Sequence, residues 1–256
     1  MARQQRAKVL DVRGSRSASG EKQMPEKVSN RLKVRIDDLK TFDPLKQVQA
    51  EYFHAWEDDS LTSFILHGCA GTGKSFIALY KALESAMDPS SDVDGVIIVR
   101  SAVAGRDIGH LPGDEKEKLA VYEQPYIGIC ADLFGKADAY QRLKEQGTIK
   151  FISSSFVRGI TLDKKIVIVD EMQNYNFQEL YSIATRVGEN TRIVFCGDFR
   201  QNDLRKRGDE SGLVKFLEIM SSVNHSDVFE FELEDVVRSK FVKAIIKATM
   251  DYEDRH

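Results

Sequence analysis

From about residue 40 onward, short unbroken apolar runs alternate with longer stretches in which apolar positions recur every three or four residues. The short runs predict strands at 63–67, 95–100, 148–153, 166–169, 192–196 and 228–233. The longer stretches predict helices over 43–57, 74–87, 114–134, 136–146, 175–187, 211–221 and 235–250. Ile166-Val167-Ile168-Val169 is β-branched throughout, as a strand covered on both faces of a parallel sheet requires. Strand and helix alternate, so the pattern predicts an α/β protein: a mainly parallel sheet with helices on both faces. Asp43-Pro44 reads as the start of the first helix, with Asp as cap and Pro at the first helical position.

The periodic pattern stops near residue 40, which divides the chain into an arm, 1–40, and a core, 41–256. Residues 1–35 carry ten Lys/Arg against Asp11, Glu21 and Glu26, with few large apolar side chains. Such a stretch lacks the apolar area to order itself and is expected to be flexible. It fits a nucleic-acid tether acting by counterion release, and equally a solubilising tail. The whole chain has a net charge of −3 and is 42% apolar, so it is no polycation. There is no apolar run of about 18 residues and no apolar signal segment, which predicts a protein without a membrane partner. Cys69, Cys130 and Cys196 are scattered singly, as in a reducing cytoplasm.

Chemistry enters at Gly68-Cys69-Ala70-Gly71-Thr72-Gly73-Lys74-Ser75, between the first strand and a helix. Glycines let successive backbone N–H groups and the helix N-terminus face a polyphosphate. Lys74 would reach the β/γ-phosphates and the Ser75 hydroxyl would ligate Mg²⁺. Cys69 fills a small-residue slot in this loop. A second element, Asp170-Glu171, ends the 166–169 strand, where α/β sheets place their ligands. Asp170 would hold Mg²⁺, and Glu171 would orient or deprotonate the attacking water. Two further strands fit between loop and carboxylates, more than a minimal GTPase needs, which suits a RecA-like P-loop NTPase core. There is no guanine-reading Asn-Lys-x-Asp, so ATP is the expected nucleotide.

Several strings in order resemble the PhoH family of P-loop ATPases over roughly 43–247. They are the phosphate loop; Val99-Arg100-Ser101-Ala102-Val103-Ala104-Gly105 with Gly109-His110-Leu111-Pro112-Gly113-Asp114; and Arg158-Gly159-Ile160-Thr161-Leu162. Asp170-Glu171-Met172-Gln173-Asn174, Thr185-Arg186-Val187-Gly188, Gly197-Asp198-Phe199-Arg200-Gln201 and Asp235-Val236-Val237-Arg238-Ser239 follow. Ser101 stands where the family usually has proline, and Met172 where it has alanine; neither removes a chemical group. The short form is similar to versions carried by bacteriophages, which would place it in a host cytoplasm, and it leaves no room for an added nuclease or RNA-binding module.

The resemblance implies further roles. Gln201 matches a helicase glutamine that senses the γ-phosphate, while Asp198 would brace the Mg²⁺ shell or simply cap a turn. Gln49 aligns with a glutamine that reads the adenine edge, and Tyr52, one turn later, is placed to stack on the base; both also fit an ordinary amphipathic helix. Arg186 and Arg238 are the expected γ-phosphate arginines. Arg100 and Arg158 are the alternatives, or line a nucleic-acid path. The expected activity is Mg-dependent ATP hydrolysis coupled to RNA or single-stranded DNA; the alternative is an ATPase switch docking a protein. Glu171 beside Asp170 argues against a kinase. One core leaves a side of the γ-phosphate open, so a homo-oligomer, such as a ring sharing an arginine, is expected, with a monomer awaiting a foreign partner as the other solution.

Overall fold

In this computed structural model, which describes residues 33–101, 115–198, 210–253 and 255, all six expected strands pair into one sheet. They are β1 (Ser63–Gly68), β2 (Gly95–Arg100), β3 (Ile149–Ser153), β4 (Lys165–Val169), β5 (Arg192–Gly197) and β6 (Ser226–Phe231). The order is β3-β2-β4-β5-β1-β6, and every pairing is parallel. The helices are α1 (Gln47–Trp56), α2 (Lys74–Met87), α3 (Glu115–Phe134), α4 (Ala139–Gln146), α5 (Phe177–Ala184), α6 (Glu210–Ser221) and α7 (Lys240–Glu253). This α/β arrangement is that of a RecA-like P-loop fold. Gln201 and most of the basic arm lie outside the described residues.

Alternation along the strands assigns each layer its core, because successive side chains point to opposite faces. Phe64, Leu66, Val96, Ile98, Ile166, Ile168 and Val194 pack under α1, α2, α3 and α4. Ile65, Ile97, Val99, Val167, Val169, Ile193 and Phe195 pack under α5 and α6. Full burial of such a side chain contributes about 1.5–3 kcal/mol, so both layers hold the sheet firmly. Helix α7 differs, for none of its residues is buried.

Three boundaries depart from the sequence pattern. The Asp43-Pro44 start is not used: α1 begins at Gln47 after an extended Lys46, because the Gln49 side-chain oxygen accepts the Leu45 N–H at 2.8 Å and holds the entry as a turn. Residues 236–239 are not helical either, since the Val237 N–H is taken by the carbonyl of Gly71 at 3.0 Å. Residues 34–40, expected in the arm, belong to the core. Val34 is 3% exposed and exchanges two hydrogen bonds with the Gln146 amide, at 2.9 and 3.0 Å. The Lys40 N–H reaches Leu133 O at 2.9 Å, and the compact unit begins at Lys33.

The expectation that Tyr52 stacks on a base is not met. Tyr52 is 0% exposed, its ring enclosed by Phe53, Trp56, Phe64 and Phe229 at centroid distances of 5.6–6.1 Å. Its position on α1 is the apolar stripe, and its hydroxyl has no hydrogen-bond partner. Removing that hydroxyl relieves a desolvated polar group. Tyr52→Phe is therefore expected to hold or raise stability by up to about 1 kcal/mol in urea unfolding, with unchanged nucleotide affinity, whereas Tyr52→Ala costs about 3–5 kcal/mol.

Candidate nucleotide site

The phosphate loop leaves β1 under tight backbone constraint. Gly68 sits at φ +116°, and a Cβ there would come within 2.1 Å of the Phe231 carbonyl, so only glycine fits. The next residue ties the loop to β6, Cys69 N–H donating to Phe231 O at 2.7 Å. Gly71 and Gly73 are also left-handed, and Gly73 caps α2, so Lys74 and Ser75 open the helix where unpaired N–H groups favour an anion. Ala70 and Thr72 complete the turn, with Thr72 Oγ1 donating to Cys69 O at 3.0 Å.

Lys74 folds over this loop. Its Nζ donates to Gly68 O at 2.9 Å, Cys69 O at 2.6 Å and Thr72 Oγ1 at 3.3 Å. Burial lowers its pKa, with the Asp198 carboxylate opposing that shift. Gln49, expected at the adenine edge, instead braces the loop: its Nε2 donates to Thr72 O at 2.9 Å while its oxygen is held by Leu45. Both ends of that amide are occupied within the protein.

The carboxylates arrive from β4. Strand β5 lies between β1 and β4, so Gly197 and Asp198 emerge between loop and acids. Asp170 is buried, and Ser75 Oγ donates to its Oδ1 at 2.9 Å. Its Oδ2 accepts from Tyr126 Oη at 2.5 Å and from Arg100 Nη1 at 3.2 Å. Arg100 also lies 3.6 Å from Glu171 Oε1. Burial alone would lower the Arg100 pKa, but Tyr126, Asp170 and Glu171 outweigh it and raise it. Burial, reinforced by the Asp170 charge, pushes the Tyr126 hydroxyl well above its ordinary value, so it serves as a donor. Glu171 occupies a left-handed conformation, φ 53°, and Gln173 Nε2 donates to its Oε2. The other end of Gln173 accepts the Asp198 N–H at 3.1 Å, linking the β4 and β5 exits.

This donor set fits Mg²⁺. Ser75 and Asp170 supply one hydroxyl and one carboxylate, and no group of three or more His, Cys, Asp or Glu among the described residues could hold a metal alone. Mg²⁺ takes one or two carboxylates and completes its shell with phosphates and water.

The expected arginines separate. Arg238 lies against its own loop, with its Cγ 3.0 Å from where a Cβ on Gly71 would stand. Arg186 lies at the opposite, amino-terminal end of the strands: its carbonyl accepts Leu162 N–H, before β4 begins, and its Nε is buried without a hydrogen-bond partner. The length of β4 and β5 separates it from the loop.

A family model for PhoH-like proteins matches residues 41–250, most of the chain. The chain belongs to the PhoH family. It is 37% identical over 201 residues to the PhoH-like protein of Bacillus subtilis (strain 168), covering 78% of this chain and 61% of that one. It is 33% identical over 204 residues to Protein PhoH of Escherichia coli (strain K12), covering 79% and 56%. The PhoH-like protein of Mycobacterium tuberculosis (strain ATCC 25618 / H37Rv) is 31% identical over 216 residues, covering 84% and 60%. The chain thus spans about three-fifths of the length of these curated relatives. The family is one of P-loop NTPases.

Two site residues of this PhoH-family chain carried no assigned role in the sequence. Gln173 lies inside a motif string, two positions past Glu171, and that spacing was its only signal. Tyr126 sits mid-helix, where a tyrosine reads as core. Tyr126→Phe should cost about 1.5–3 kcal/mol in urea unfolding without nucleotide, because a buried carboxylate loses a donor; an unchanged midpoint would remove Tyr126 from the site.

Proposed function

We propose that this chain binds ATP with Mg²⁺ and hydrolyses it, and that turnover is coupled to RNA or single-stranded DNA. The observation that carries the proposal is the 2.9 Å contact of Ser75 with Asp170, which brings the loop serine and the strand carboxylate together beside Lys74 and Glu171. Mg²⁺, when bound, would neutralise charge on the phosphates. Lys74 Nζ would exchange its loop carbonyls for β/γ-phosphate oxygens, and the N–H groups opening α2 would take the remaining oxygens. The Glu171 side chain is 41% exposed, so water can approach it; its carboxylate would accept the water proton while Gln173 and Arg100 fix its direction. Gln201 remains the proposed sensor of the γ-phosphate.

The proposed assembly draws on the arginines. Arg238, beside its own loop, would act within its own subunit, and Arg186, far from that loop, would serve a neighbour. The apolar face of α7, with Phe241 73% exposed and Ile245 and Tyr252 also exposed, supports packing against a second copy in the cytoplasm. The same face favours the alternative reading, an ATPase switch that docks a different protein. No helix among the described residues is long and apolar enough to cross a membrane.

Lys74→Ala is expected to abolish ATP binding or turnover; wild-type hydrolysis in the pure variant would exclude the loop assignment. Glu171→Gln should bind ATP·Mg²⁺ normally yet turn over roughly 100-fold or more slowly, because an amide cannot accept the proton. Stimulation of turnover by oligo(U) or oligo(dT) supports the coupled motor, and indifference supports the switch. Removing residues 1–32, rather than cutting through Val34, should keep basal ATPase while flattening the salt dependence of any strand binding. Mixing Arg186→Ala with Lys74→Ala subunits should restore part of the activity each lacks. If light scattering with ATP·Mg²⁺ finds only monomer and no mixture recovers, the shared site is wrong.

A further inference from the structure

Helix α5 has an unusual pair of flanks. On one side lies a pocket of 230 Å³ lined by Ser154, Ser155, Arg158, Glu179, Ser182 and Ile183. Phe156, in the turn that carries Ser154 and Ser155, is 54% exposed. The pocket's one carboxylate is already engaged: Glu179 accepts the Asn176 N–H at 3.0 Å as part of the α5 cap. On the other side Tyr181 is 53% exposed and stacks on Phe177, with centroids 6.0 Å apart and planes 19° from parallel. Lys215 of α6 places its Nζ 4.6 Å from the Phe177 ring.

We propose that this surface is a track for a single-stranded nucleic acid, with bases stacked on Phe156 and Tyr181 and backbone phosphates met by Arg158 and Lys215. The proposal rests on the nucleic-acid reading above and specifies where the strand lies. Exposed aromatic faces with cations close by bind a strand whatever its sequence, since every base has a π-face and every linkage a charge. The Ser155 and Ser182 hydroxyls beside Arg158 suit phosphate and sugar oxygens. The track also connects to the hydrolytic site. Asn176, which caps α5, follows Glu171 across the turn Met172–Asn174, and Tyr175 pins that turn by donating its hydroxyl to Val99 O at 3.0 Å. The track therefore leads, through the α5 cap, to the segment bearing Glu171.

The test is fluorescence anisotropy of the full chain with labelled oligo(U) or oligo(dT) of about twelve nucleotides, over a salt series. Phe156→Ala and Tyr181→Ala should each weaken binding roughly five-fold or more, with unchanged melting temperatures, and Tyr181→Trp should retain it. Arg158→Gln should reduce the slope of log affinity against log salt by about 0.7, the value for one phosphate contact on a single strand. Ser155→Glu, a surface change, should weaken binding by repulsion. If the wild-type chain binds the strand and these variants bind it equally well, the track lies elsewhere and this proposal is overturned while the coupling to nucleic acid stands. If the wild-type chain binds neither strand even at low salt, the nucleic-acid reading falls and the track with it.

Discussion

A carboxylate removed from water must be surrounded by donors, and Asp170 meets that demand with one group from each of three elements. Ser75 comes from α2, Tyr126 from α3 and Arg100 from the end of β2. An unpaired charge at that depth would cost several kcal/mol, so these elements cannot move independently of the β4 terminus. The consequence is positional. The phosphate loop, the helix behind it and the strand bearing the proposed base share one electrostatic anchor.

Topology makes that anchor possible. Because β5 separates β1 from β4, the Gly197–Asp198 peptide comes up between the loop and the acids, and Gln173 spans from one exit to the other. A Cβ at Gly197 would fall within 2.6 Å of the Gln173 side-chain oxygen, so the bridge needs a glycine beside it. Glu171 is thereby fixed from both sides, by a neutral amide and by a guanidinium. Its left-handed backbone, rare for a residue with a side chain, is held by the turn that follows.

Much of this was legible in the sequence because the signals were local. Strands of five or six residues with mostly apolar runs, a glycine-spaced loop and a pair of acids at a strand end each report their own conformation. What was missed depends on contacts distant in sequence. Gln49 and Tyr52 share a helix, and its periodicity does not say whether a glutamine turns toward a ligand or toward the Thr72 carbonyl. Tyr126 meets Asp170 only after the sheet has formed. Val34 lies in a basic stretch whose composition hides one residue that docks on α4. Arg186 and Arg238 both sit in motif strings, yet topology puts one before the amino end of β4 and the other beside the loop that follows β1.

Helix α7 offers a different kind of lesson. Without a buried residue, it owes its seat to the phosphate loop: Ile246 approaches Gly71, Met250 approaches the Cys69 sulfur at 3.9 Å, and the strap before it is hydrogen-bonded to Gly71. A short amphipathic helix has little order of its own in water. Helix α7 is in effect a lodger in the loop, and the conformation the loop adopts bears on how firmly that helix is folded.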